Sequence, residues 1–105
     1  MEEIRKQIEQ NISEIDAVVE MFYQQKTQEA YGRLDFVLGK LMATIETAVK
    51  YQQEHTEVKI DINGLTEALK EALSAMEERD AILMADVLKY EVIEKLEAMI
   101  GNLSE

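Results

Sequence analysis

The sequence predicts an all-α fold: a four-helix up-down bundle built from a long and a shorter helical hairpin. Three observations lead there. Apolar residues recur at steps of three and four through most of the 105 residues, which places them on one stripe of a helix. The chain has no Pro, so nothing blocks long helices. The last two helical stretches are separated by only a few residues, which makes them antiparallel neighbours. No composition break divides residues 1–105, and the chain reads as one helical-bundle domain with a radius of gyration of roughly 13 Å.

The first stretch runs from about Glu2 to Gln25, with its stripe at Ile4, Ile8, Ile12, Ile15, Val18, Val19 and Phe22. Asn11 lies at the edge of that stripe. We read it as facing solvent rather than as a polar register device. The second stretch runs from about Thr27, a residue able to cap a helix, to Glu54. Its stripe is Tyr31, Leu34, Leu38, Leu41, Ile45, Ala48 and Gln52, widened by Val37, Met42 and Val49. So wide a face predicts contact with more than one neighbour. At ~1.5 Å per residue the helix is roughly 40 Å long. Gly32 and Gly39 inside it each cost about 1 kcal/mol against Ala. They mark a close crossing or a kink, or else Gly32 is the junction between the first two helices.

Between His55 and Asn63 the period changes to two, with Val58, Ile60 and Ile62 alternating with charged residues. That is the pattern of a short strand. A lone strand has no partner, so we expect an extended loop that lays three apolar side chains over the end of the bundle. Strand pairing across a dimer is the other reading. The third helix starts at Asp61 or Asn63 and carries Leu65, Ala68, Leu69, Ala72, Leu73 and Met76 to about Glu78. The fourth starts at its cap, Asp80, and carries Ile82, Leu83, Val87, Leu88, Val92, Ile93, Leu96 and Ile100 up to Gly101, the expected stop. Helices three and four share patterning without identity and are not a repeat.

Charge excludes several functions. Eleven Lys and Arg stand against 22 Asp and Glu, a net −11, which repels phosphate and argues against nucleic-acid binding. Residues 1–25 carry −4, residues 26–54 carry four acids and four bases, residues 55–64 carry −1 and residues 65–105 carry −6. The second helix is thus the neutral, apolar centre of the expected bundle. With no Cys there are no disulfides and no thiolate chemistry. No stretch is long and apolar enough to span a bilayer, and the charged amphipathic start, Met1-Glu2-Glu3-Ile4-Arg5, lacks the core of a secretory signal. The expected location is cytoplasmic, and the glycosylation patterns Asn11-Ile12-Ser13 and Asn102-Leu103-Ser104 are read as chance.

Catalytic chemistry finds little support. A carboxylate-bridged metal site in a bundle needs Glu-x-x-His pairs, and the one His, at 55, is in none. Asp61-Ile62-Asn63-Gly64 resembles a calcium loop only at its start, since Gly comes fourth and the twelfth position is Ala72. Ser13, Ser74 and Ser104 have no Gly-x-Ser-x-Gly context, and His55 reads as an exposed helix-end residue. We therefore expect no enzyme, no cofactor and no metal. Asp35 and Asp86 sit next to apolar positions, and we read both as stripe-edge acids reaching water rather than as buried partners of a Tyr, Arg33 or Lys89. Six Met, at 1, 21, 42, 76, 84 and 99, suit either a core or an adaptable binding surface. Met84 and Met99 fall off the main stripe. With Phe36, Tyr51 and Tyr90 they are the candidate partner-binding residues.

Two stretches carry a resemblance: Gly32-Arg33-Leu34-Asp35-Phe36-Val37-Leu38 and Ala81-Ile82-Leu83-Met84-Ala85-Asp86-Val87-Leu88-Lys89-Tyr90-Glu91. The second resembles a D-x-x-x-x-A-D-x-L-x-Y-E stretch of a small bacterial all-helical family of unknown function. Together they cover less than a fifth of the chain. The architecture alone is similar to that of flagellar export chaperones, and no binding residue carries over from them. The expected function is a protein–protein interaction module, adaptor or chaperone-like, that binds an apolar or helical segment of a partner. The alternatives are a structural or regulatory homodimer, its second copy covering apolar surface left on the longer hairpin, and an enzyme with an unrecognised site.

Overall fold

The computed structural model describes residues 2–103. Met1, and Ser104 of the second glycosylation pattern, lie outside the described residues. The chain forms α1 (Glu2–Tyr23), α2 (Thr27–Glu54), α3 (Ile62–Glu77) and a C-terminal helix made of α4 (Ala81–Val87), a π-helical turn (Leu88–Val92) and α5 (Ile93–Leu103). No strand is present among the described residues. The helices run up and down in a rod of 42 × 21 × 19 Å, whose long dimension matches the roughly 42 Å expected of a helix as long as α2.

The helix at the centre is α1, not the neutral α2. It packs along α2 on one side and along α4, the π turn and α5 on the other. Its buried residues, Ile4, Ile8, Ile15, Val18, Val19 and Phe22, contribute to one continuous core. The second helix rests chiefly on α1, and α3 rests on the C-terminal helix. The charge count misled because neutrality describes a helix's surface and says nothing of how many neighbours it has.

Asn11 is buried, against expectation. Its amide donates to Thr44 Oγ1 at 2.7 Å, and that hydroxyl donates on to the Lys40 carbonyl at 3.1 Å. A buried amide needs such a partner, and Thr44 sits where α2's stripe passes over α1. The two helix reversals at one end of the rod share a single device. Lys26 N–H bonds to Met21 O and Gln25 N–H to Phe22 O, while Asp80 N–H bonds to Ala75 O and Arg79 N–H to Met76 O. These are paired Schellman closures. Their left-handed positions are Gln25 (φ 65°) and Arg79 (φ 59°) rather than glycines. Thr27 begins α2 without capping it.

At the other end residues 55–61 form the expected loop, with Val58 and Ile60 buried over the bundle. Asp61 caps α3: its Oδ1 accepts from Gly64 N–H at 2.8 Å and its Oδ2 meets Lys95 Nζ at 3.1 Å. These bonds, the backbone one first, hold its carboxyl below the usual range. Asp80 Oδ1 caps α4 through Leu83 N–H at 3.1 Å. Gly32, Gly39 and Gly101 mark neither crossing, junction nor stop. All three lie inside helices, and a Cβ on any of them meets nothing within 4 Å.

Candidate interaction surface

The five residues proposed from sequence do not form one site. Met84 and Met99 are core residues, each 1% exposed. The buried line of the C-terminal helix is Met84, Leu88, Val92, Leu96, Met99 and Leu103, so Ile82 and Leu83 point outward instead. The π turn makes that line possible. Three successive steps of four residues drift around an α-helix, and a turn that holds an extra residue brings them back into line. Ile93 N–H duly bonds to Leu88 O, five residues earlier.

Tyr90 is 61% exposed on the π turn, with Lys89 Nζ 5.6 Å from its ring centroid. The same ammonium lies 5.7 Å from the Tyr23 ring. Tyr23 donates its hydroxyl to Asp86 Oδ1 at 2.5 Å, tying α1 to α4. Asp86 is thus half-buried and engaged, while Asp35 is exposed. The bond to Asp86, then partial burial, then the Asp86 charge push the Tyr23 hydroxyl up to about 12. Beside this patch Glu91 approaches Glu71 of α3, and the hydrogen bond they share raises the Glu91 carboxyl above its usual value. Tyr51 is half-buried and stacked on His55 at 4.1 Å, and His55 N–H and ring Nδ1 both lie on Tyr51 O. His55 is half-buried at the end of α2, not exposed.

Phe36 is 55% exposed between two cations, Arg33 at 5.8 Å and Lys40 at 5.1 Å from its centroid. It lies toward a cleft of about 260 Å³ in which Gln7, Gln10 and Asn11 of α1 face Lys40, Ala43 and Thr47 of α2. Lys40 is paired there with Glu14 at 3.3 Å. The cleft identifies one flank of α2 as its α1 side. Residues lie about 100° apart around a helix, which puts Leu38, Met42, Ile45 and Val49 on the opposite flank. Met42 is 57% exposed, and Leu38, Ile45 and Val49 are only partly covered.

The third helix repeats the pattern. Glu71 points to the π turn, so Leu73, two positions on and about 200° round, is on the flank turned away from the C-terminal helix. Leu73 is 41% exposed, with Met76 partly covered nearby. The two apolar flanks therefore border the side of the rod between α2 and α3, where each helix packs chiefly within its own hairpin. With 28 residues against 16, α2 outruns α3 by roughly 18 Å. The signal in the sequence was the width of α2's apolar face, which we read as buried on two sides and which is buried on one.

Among the described residues no three His, Asp or Glu side chains group as metal ligands, and no helix is long and apolar enough to cross a membrane. The fold and surface define a small all-α bundle with uncovered apolar flanks. The chain belongs to a family described as a domain of unknown function, DUF8042, whose profile matches residues 1–101. No curated protein and no solved structure matches it.

Proposed function

We propose that this chain is a protein–protein interaction module, adaptor or chaperone-like, acting in the cytoplasm without a reaction of its own. It receives an apolar helical segment along the side between α2 and α3. One observation carries the proposal: Leu38, Met42 and Ile45 on α2 and Leu73 on α3 leave apolar surface facing the same unzipped side of the bundle. Contiguous exposed apolar surface marks binding sites, and a trough between two helices suits a third helix. A photo-crosslinking amino acid at Met42 tests it in cells. The expected product is one discrete heavier species that the same group at Asp16, on the outer side of α1, does not give. Equal labelling at both positions, or none at Met42, would overturn the proposal.

A homodimer is the second reading, favoured by the equal numbers of acids and bases in residues 26–54. There the crosslinked species has twice the chain mass, and sedimentation equilibrium at tens of micromolar shows a dimer.

A further inference from the structure

We infer that the segment received between α2 and α3 is a cationic amphipathic helix, one whose apolar face is bordered by Lys and Arg. This rests on the interaction surface proposed above and adds the chemistry of the partner. The charges that flank Met42 most closely are acidic, although residues 26–54 are neutral as a whole. Arg33 and Lys40 lie toward the α1 side, engaged with Phe36 and, for Lys40, with Glu14. Asp35 and Glu46 lie beside Met42 on the opposite flank, by the same rotation of about 100° per residue. Both are exposed. The α3 border carries Lys70 and Glu77, both exposed, and its lysine lies 3.8 Å from Glu67, which shares the face of Glu71. The uncovered leucines and methionines thus have a border of three acids and one paired base. Such a surface attracts a helix with basic margins, steers its approach and rejects acidic ones. A second copy brings the same acids and another −11, so self-pairing here sets like charges against each other.

The test uses the full chain and two labelled amphipathic peptides of about 20 residues, long enough to lie along most of α2. Both have Leu at steps of three and four. One has Lys along the margins and the other Glu. Anisotropy titration is expected to give saturable one-to-one binding of the Lys peptide, at least tenfold tighter than the Glu peptide. Met42→Gln with Leu73→Gln, at exposed positions, should weaken it at least fivefold, as should Asp35→Lys with Glu46→Lys. Ile82→Gln with Leu83→Gln, at exposed positions of α4, should leave it unchanged. Equal binding of both peptides, lost in the Met42/Leu73 variant, would overturn the cationic inference and keep the interaction surface. Lys-peptide binding that ignores the Met42/Leu73 variant is charge attraction to the whole protein and overturns the inference. No peptide binding by a chain that sediments as a dimer, dissociated by Met42→Gln with Leu73→Gln, makes the second copy the occupant. No binding by a monomer overturns both the inference and the surface.

Discussion

At the residue scale, the polar contacts that hold α1 to its neighbours include Asn11–Thr44 and Tyr23–Asp86. Asn11 and Thr44 satisfy one another within the core between α1 and α2. Asn11→Ala removes the donor and leaves a gap in a well-packed layer. We expect a loss of about 1–3 kcal/mol in urea unfolding, and no loss would mean that the amide reaches water. The bond between Tyr23 and Asp86 makes a pH-dependent contribution. The hydroxyl keeps its proton up to about 12 in the folded chain against 10.0 ordinarily. Its contribution is therefore whole below pH 10 and is lost as pH rises from about 10 to about 12. Tyr23→Phe should be less stable than the parent at neutral pH and lose less stability across that alkaline window. Parallel curves for the two proteins would show that the bond is absent. The burial of Asn11 was not legible from sequence, because its position at the stripe's edge suits either solvent or core. The partner that decides the matter, Thr44, is 33 residues away.

At the element scale, helix existence was legible and helix punctuation was not. Steps of three and four found all the helices, and Asp61 and Asp80 were identifiable as caps. The reversals after α1 and α3 carried no signal because Gln25 and Arg79 occupy left-handed positions usually held by glycine. The glycines sit instead in helix interiors, where each costs backbone entropy. Gly32→Ala and Gly39→Ala each add a Cβ that meets nothing, and we expect each to stabilise by up to about 1 kcal/mol. Arg79→Gly removes left-handed strain and should also stabilise, by a similar amount of about 1 kcal/mol. Thermal melts of the three variants check both claims; a lower midpoint for Gly39→Ala would require a neighbour on that face. Gly64 is the exception, since a Cβ there runs into the Asp61 carboxylate that caps α3. The π turn did have a signature, in the consecutive four-residue steps Met84, Leu88, Val92 and Leu96. Because we drew the ends of the stripe through Ile82, Leu83 and Ile100, Met84 and Met99 were left off it and named as candidate surface residues.

For the whole molecule, charge and packing have to be kept apart. A chain of −11, whose ion pairs include Lys40–Glu14, Lys70–Glu67 and Lys95–Asp61, repels itself on balance. Screening lengths fall to a few ångströms as salt approaches 1 M. Raising NaCl from about 0.05 to about 0.5 M should therefore raise the melting midpoint by a few degrees. A fall would show that the ion pairs outweigh the repulsion. The candidate surface was half legible in the same way. The excess width of α2's apolar face announced it, whereas Phe36 and Tyr90, exposed residues named from sequence, lie elsewhere on the molecule. Which flank stays uncovered depends on α1 taking the central position, and that is a property of the assembled helices.

The central position of α1 also has a consequence in time. One side of this helix is met by α2, available as soon as residue 54 has been made. Its other side is met by α4 and α5, so it stays unfilled until synthesis has passed Ile93 and approached Leu103. A nascent chain therefore carries a half-dressed α1 on the ribosome while α3 and α4 are being made. It can build the α1–α2 hairpin early, but the core closes only when almost the last described residue has emerged.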